Sequence, residues 1–233
     1  MSSAKRPPPG QPSGRRPAAP AGGVRDRQER AAQAVARTAA QEVRIIGGQW
    51  KRSPLPVPVS AGLRPTSSRV RETLFNWLGQ DLTGWRVLDA FAGSGALGLE
   101  AASRGASAVL LERDAGLVAS LRKVVLRLQA SQVQVVQTDA LDWMRRFGGG
   151  ASDLFDLVLL DPPFDEALFQ PALAAAAACV PPGGWVYAEA PHSLQAQVDV
   201  PGLRCQRHGQ AGAVHFHLFQ RGDAAPGAAE PSA

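Results

Sequence analysis

The residues with the clearest chemistry form one tetrapeptide, Asp161-Pro162-Pro163-Phe164, at the end of the apolar run FDLVLLD. Two consecutive prolines hold the backbone at φ of about −65° and remove two amide donors. The loop therefore offers acceptors only, the Asp161 carboxylate and the Pro162 carbonyl, beside the ring of Phe164. An amino group on an aromatic base has a delocalised lone pair and is a weak nucleophile. Accepting its two hydrogens at Asp161 and Pro162 localises that pair toward a methyl donor, and Phe164 gives the base a face to stack on. These contacts strengthen as positive charge develops on nitrogen, so they favour the transition state over the ground state. The candidate catalytic residues are Asp161, Pro162, Pro163 and Phe164, and the chemistry requires neither a metal nor a covalent intermediate.

A second constellation lies upstream, in LDAFAGSGALG. Gly93-Ser94-Gly95-Ala96-Leu97-Gly98 matches the G-x-G-x-x-G pattern of dinucleotide-binding loops, but glycines are needed wherever a backbone turns tightly beneath a nucleoside. Asp89 separates the options. A carboxylate aimed into the pocket repels a pyrophosphate and suits a cation such as a sulfonium amino acid with a free ammonium. The next strand ends at Glu112, 23 residues after Asp89, where an acid can accept both ribose hydroxyls. The third ends before Thr138-Asp139, where an Asp beside apolar Ala140 can hold an adenine amino group. Acids at three successive strand ends fit S-adenosylmethionine better than NAD. Ser94 of the glycine loop and Arg113 beside Glu112 join the candidate cofactor contacts.

The elements that must position these residues alternate regularly. WRVLDAF, AVLLER, QVQVVQ, FDLVLLD and GWVYAEA read as strands. ALGLEAASRG, AGLVASLRKVVLRLQ, DALDWMRRF and EALFQPALAAAAACV read as helices between them. LRCQRHGQAGAVHFHLFQR reads as a closing antiparallel hairpin around Gly209 to Gly212. Apolar, unalternating strands separated by helices mean an α/β fold with a doubly wound, Rossmann-like, mostly parallel sheet. Ahead of it, VRIIGGQWKRSPLPVPV reads as a small β-hairpin around Gly47-Gly48. LRPTSSRVRETLFNWLG reads as a helix that starts at the Thr66-Ser67-Ser68 hydroxyls, buries Val70, Leu74, Trp77 and Leu78, and stops at Gly79. Arg69, Arg71 and Asn76 are expected to lie off that stripe, facing a ligand.

The chain has 233 residues, 45% hydrophobic and 19% charged, enough for one domain with extensions. No apolar run reaches the ~18 residues of a membrane span, and Cys179 and Cys205 are too few for a disulfide framework or a four-cysteine zinc site. A cytoplasmic, monomeric, non-membrane protein is expected. The net charge of +5 is unevenly spread. Residues 1–42 hold eight Lys/Arg against three Asp/Glu; residues 44–76 hold six against Glu72 alone; the remainder is acidic. A basic front on an acidic body suits a polyanion. The expected organisation is a disordered basic tail over 1–42, a domain over 43–221 (hairpin and helix 43–79, sheet 85–221) and a disordered tail over 222–233. The Arg- and Ala-rich tail also has the composition of an organelle transit peptide.

Together the motifs resemble the class I S-adenosylmethionine-dependent methyltransferases, and more narrowly the RsmD family, which methylates guanine N2 in small-subunit 16S rRNA at guanine 966. The resemblance runs from about Arg44 to Arg221 and is densest in RIIGGQW, LRPTSSRVRETLFNWL, LDAFAGSGALGLEA and DPPF. It implies that Asp89, Phe91, Gly93, Gly95, Glu112 and Asp139 hold the cofactor and that Asp161 to Phe164 hold a flipped guanine. It also implies an RNA-facing lip made of Arg44, Trp50, Lys51, Arg52, Arg64, Arg69, Arg71 and Asn76. The expected partner is 16S rRNA within a small ribosomal subunit or its assembly intermediate.

Other readings use the same residues. An amino methyltransferase acting on DNA or protein glutamine would share the tetrapeptide. A non-catalytic assembly factor would keep only the fold. An NAD-dependent oxidoreductase would leave Asp89 and the tetrapeptide without a task. His208, His215 and His217 with Cys205 read as an edge hairpin rather than a metal site, Cys179 as packing, and the tryptophans other than Trp50 as core.

Overall fold

Runs of Val and Leu with no polar alternation suit strands covered by helices on both faces. In a computed structural model they lie side by side as β3 (Arg86–Asp89), β4 (Ser107–Glu112), β5 (Val133–Gln137), β6 (Leu157–Leu160) and β7 (Trp185–Ala190). The residues described are 41–57, 66–148, 150–162, 166–194 and 200–222. With β8 (Leu203–Ala211) and β9 (Val214–Arg221) they form a seven-stranded sheet of order β5-β4-β3-β6-β7-β9-β8. The first five strands are parallel. β9 enters antiparallel to β7, and β8 closes the edge as its hairpin partner. The expected doubly wound sheet with an antiparallel hairpin is therefore present.

Among the described residues five α-helices cover it: α1 (Ser68–Leu78), α2 (Ala96–Ser103), α3 (Ala115–Arg127), α4 (Ala140–Arg146) and α5 (Glu166–Ala178). Their starts follow local chemistry. The Ser67 hydroxyl accepts from the Val70 amide, Asp114 from Leu117 and Asp139 from Asp142, each satisfying an orphan first-turn donor. Gly79, at φ +96°, ends α1.

Strand alternation sorts the two faces. Leu88, Val158, Leu160, Val186 and Ala188 pack with α4 and α5. Val87, Leu157, Leu159 and Tyr187 pack with α1 and α2 on the other face, and Leu110, Leu121 and Val124 extend that layer to α3. Asp89, Asp161 and Glu189 keep the register of this second set, so all three end their strands on the α1–α2 face.

Chain order reverses between β3 and β6, which lie next to each other. Ligands in doubly wound sheets bind at such a switch point, beyond the carboxyl ends of the strands.

The expected N-terminal hairpin forms, but not as a tight turn at Gly47-Gly48. β1 (Gln41–Arg44) pairs antiparallel with β2 (Pro54–Val57), and the loop spans residues 45–53. Ile45 and Leu55 are buried against α2 and α3. The loop closes on itself through backbone bonds from Ile45 to Ser53 and from Arg52 to Ile45, and it is also held to α2, the Gln49 amide donating to the Ser103 carbonyl.

Most of the segment expected as a basic tail over 1–42, and all but Gly222 of the segment 222–233, lie outside the described residues. Arg64, Pro163 and Phe164 lie outside them too. Among the described residues no helix is long and apolar enough to cross a membrane.

Candidate active site

Asp89 closes β3 with 1% of its surface exposed, and its Oδ2 accepts from the Gly98 amide at 2.8 Å. This bond ties the strand end to the first turn of α2, and Gly98 is required because a Cβ there would sit 2.8 Å from Oδ2. Gly93 and Gly95 adopt φ of +51° and +77°, conformations that favour glycine, and carry the chain from β3 into α2. Burial pushes the Asp89 carboxyl up to about 7; the Gly98 amide opposes this and the nearby Glu112 adds to it. An acid strained toward neutrality regains its charge when a cation arrives beside it.

Glu112 ends β4, half-buried. Its Oε2 accepts from the Gly93 amide at 3.0 Å and its Oε1 from the Asp114 amide at 2.8 Å. The acid expected to meet a ribose thus also braces the glycine loop, with lone pairs left over for two hydroxyls. Asp139, exposed, uses Oδ1 to cap α4 at 3.0 Å, leaving Oδ2 available. Ser94 and Ala140 are buried, Phe91 is half-buried against the core, and Arg113 is exposed. Three carboxylates stand along β3, β4 and β5, and their charge fits a nucleoside cofactor that carries positive charge. They do not fit a pyrophosphate.

At the switch point Asp161 follows β6, half-buried, with Pro162 buried behind it. The Thr66 hydroxyl donates to Asp161 Oδ2 at 3.2 Å. Burial lifts the Asp161 carboxyl well above the usual range; Glu189 adds to this, Thr66 opposes it, and Asp89 adds a smaller push. Thr66, Tyr187 and Glu189 were not among the candidates from sequence. Thr66 reads as a helix-start residue, and Glu189 is hidden in the run WVYAEA. The available signal was positional: Glu189 is an acid at the carboxyl end of a buried parallel strand.

The proposed RNA lip divides. Arg44, Lys51, Arg52 and Arg69 are exposed, as is Asn76, whose Oδ1 accepts from Gln80 at 2.5 Å. Arg44 is partly engaged, pairing with Glu42 at 2.5 Å and donating to the Arg52 carbonyl. Arg71 does not face a ligand. It is 1% exposed, on the same helical stripe as Leu74 and Phe75, and binds Glu100 Oε2 at 3.0 Å and the Arg44 carbonyl at 3.0 Å. Glu100, fully buried, also accepts from the amides of Ile46 and Gly47, both at 2.8 Å, and from Arg104. Ser103 adds bonds to Gly47 and Trp50. The RIIGGQW segment is therefore stitched to α2, and Trp50 is half-buried against that core rather than freely displayed.

The remaining tryptophans are half-buried on the core, as expected. His208 stacks on His215 and His217, and buried His217 accepts from the Leu194 amide at 3.0 Å. Among the described residues no cluster of His, Cys, Asp and Glu could hold a metal ion. Cys179 is buried and its thiol is pushed up to about 11 by that burial, consistent with packing.

A family model described as Conserved hypothetical protein 95 matches residues 43–220. Ribosomal RNA small subunit methyltransferase D of Escherichia coli (strain K12) is 40% identical over 187 residues, covering 77% of this chain and 90% of that protein. The solved structure of the putative methyltransferase yhhF from Escherichia coli superposes with a TM-score of 0.68 at 38% identity, covering 78% of this chain and 99% of that one. The Thermus thermophilus 16S rRNA N2 G1207 methyltransferase, solved with AdoMet and guanosine, gives 0.61 at 25% identity over 78% of this chain and half of that one. The sheet agrees with these likenesses, and the chain belongs to the family of ribosomal RNA small subunit methyltransferase D, S-adenosylmethionine-dependent enzymes of the class I methyltransferase fold.

Proposed function

We propose that the protein methylates the exocyclic N2 of a guanine in 16S rRNA, guanine 966, with the base flipped into the loop that starts at Asp161. The observation that carries this reading is the placement of two acids, Asp89 and Asp161, at the ends of adjacent strands on one face of the switch point. One is suited to a cationic cofactor and the other to an amino group. The likeness to relatives named for the small-subunit RNA supports the choice of substrate.

S-adenosylmethionine, when bound, supplies an electrophilic methyl group. Asp89, Glu112 and Asp139 would hold it, with Gly93 to Gly95 beneath. The residues of the chain do the rest. Asp161 and the Pro162 carbonyl accept the two N2 hydrogens and turn the nitrogen lone pair outward, and Phe164 stacks on the base. The proton lost from N2 passes to Asp161. Arg44, Lys51, Arg52 and Arg69 meet the phosphates around the flipped base.

Turnover of the Asp161→Ala variant tests the assignment. A loss of at least ~100-fold in kcat with cofactor affinity retained is expected, because a transition-state contact is removed. Loss of cofactor binding instead would mean that Asp161 belongs to the cofactor site.

A further inference from the structure

The chain has no Asp or Glu between Ala115 and Thr138, and none between Val43 and Arg71. The fold sets these two acid-free segments together. Leu121 and Val124 of α3 pack with Ile45 and Leu55 of the hairpin, and the Arg127 guanidinium donates to the Pro54 carbonyl. Residues four apart share a helix stripe. Lys123 therefore lies in the row of Arg127, beside the hairpin, and Arg122 lies in the row of Leu126. All four are exposed.

Two features set this face apart from an ordinary solvated one. Surface helices interleave acids with bases at i,i+4 spacing, but α3 contains no acid and places Lys123 and Arg127, like charges, at that spacing. Among the described residues neither Arg122 nor Lys123 has an ion-pair partner. Leu126 has 80% of its surface exposed and is the one large apolar side chain left in solvent among the described residues. A nucleic-acid strand relieves both, since it brings phosphates to the cations and sugar and base surfaces to the leucine.

We propose that Arg122, Lys123, Leu126 and Arg127 form a second contact surface for RNA, continuous with Lys51 and Arg52 across the bond from Arg127 to Pro54. The three cations meet phosphates, and Leu126 packs on a ribose or an unstacked base. A second copy of the chain fits worse, because a two-fold contact would set like charge on like charge. The residues ahead of Gln41 are themselves basic, eight Lys/Arg against two Asp/Glu. α3 links the parallel strands β4 and β5, so it starts beside Glu112 and runs about 20 Å toward the opposite end of the sheet. RNA that reaches both the active site and this face extends well beyond the flipped nucleotide. This inference rests on the reading of 16S rRNA as the substrate.

The test measures binding of the full-length protein to 16S rRNA across a salt series, and methyl transfer to the same RNA, for wild type, the double variant Arg122→Gln with Lys123→Gln, and Leu126→Ser. Losing two phosphate contacts should flatten the slope of log affinity against log salt by about 1.5 and weaken binding about tenfold at physiological salt. Leu126→Ser should weaken binding about threefold or more with the slope unchanged, because its contact is apolar. In both, KM for the RNA should rise while kcat, cofactor affinity and melting temperature hold. A short oligonucleotide carrying the target guanine should bind all three proteins alike. An unaltered slope in the double variant would overturn the proposal, as would equal losses on the short oligonucleotide. A wild-type dimer in sedimentation velocity that Leu126→Ser disperses would give the face to a second copy instead. Wild type that neither binds nor methylates 16S rRNA would overturn the substrate reading itself, before any variant is compared.

Discussion

Asp89 and Asp161 end adjacent strands, yet their surroundings ask different things of them. Asp89 is enclosed, bonded to one backbone amide, and lifted by burial to about 7. Asp161 is half-open, bonded to a hydroxyl, and lies beside a second acid. The first is arranged to gain charge on meeting a cation, the second to accept hydrogens. The lifted Asp89 makes a prediction with a definite sign. Between its unfolded value of about 4 and its folded value near 7, the folded protein keeps a proton that the unfolded chain has lost. This group's contribution to stability therefore falls as pH rises across that window in the ligand-free protein. Asp89→Asn removes the titration, so the melting temperature of the variant relative to wild type should climb from about pH 4 to pH 7 and then level. Wild-type affinity for S-adenosylmethionine should rise over the upper part of the same window, and that of the variant should not. Parallel curves for the two proteins would show that Asp89 stays ionised throughout.

Among the elements, α2 does more than carry the glycine loop. Its first turn is fixed to Asp89 through Gly98, and its last turn holds the 45–53 loop through Glu100 and Ser103. One short helix thus connects the cofactor end of the molecule to the basic loop. Breaking the buried pair is expected to cost about 3–5 kcal/mol, because a lone charge is left behind. Arg71→Ala should lower the denaturation midpoint strongly, whereas Arg69→Ala on the adjacent exposed position should change it by less than about 0.5 kcal/mol. Equal effects would remove the structural role given to Arg71. These elements also show what the sequence made legible. Strand and helix runs, the hydroxyl start of α1 at Ser67 and the Gly79 stop were readable because each rests on local chemistry or periodicity. Arg71 was misread because its charge outweighed its position, three and four residues before Leu74 and Phe75. Glu100, alone in the apolar run ALGLEAAS, was the hint that a buried cation must come to it. Asp161 and Glu189 could not be paired from sequence, since only the alignment of β6 with β7 brings them to one place.

At the scale of the whole molecule, the basic front and acidic body resolve into an exposed set of Arg44, Lys51, Arg52 and Arg69 on the hairpin and α1. Each phosphate contact contributes about 0.7–0.9 to the slope of log affinity against log salt. Lys51→Glu with Arg52→Glu should therefore weaken RNA binding and flatten that slope by about 1.5, with the melting temperature nearly unchanged. An unaltered slope would remove this loop from the RNA interface. The account as a whole stands on the identity of the atom that is methylated. The decisive measurement is transfer of labelled methyl from S-adenosylmethionine to small subunits lacking the modification, with naked 16S rRNA, tRNA and duplex DNA in parallel, followed by nucleoside mass spectrometry. N2-methylguanosine in the small-subunit RNA and in neither tRNA nor DNA is the result predicted. Label on DNA, on protein, or on another atom of the RNA would contradict the account.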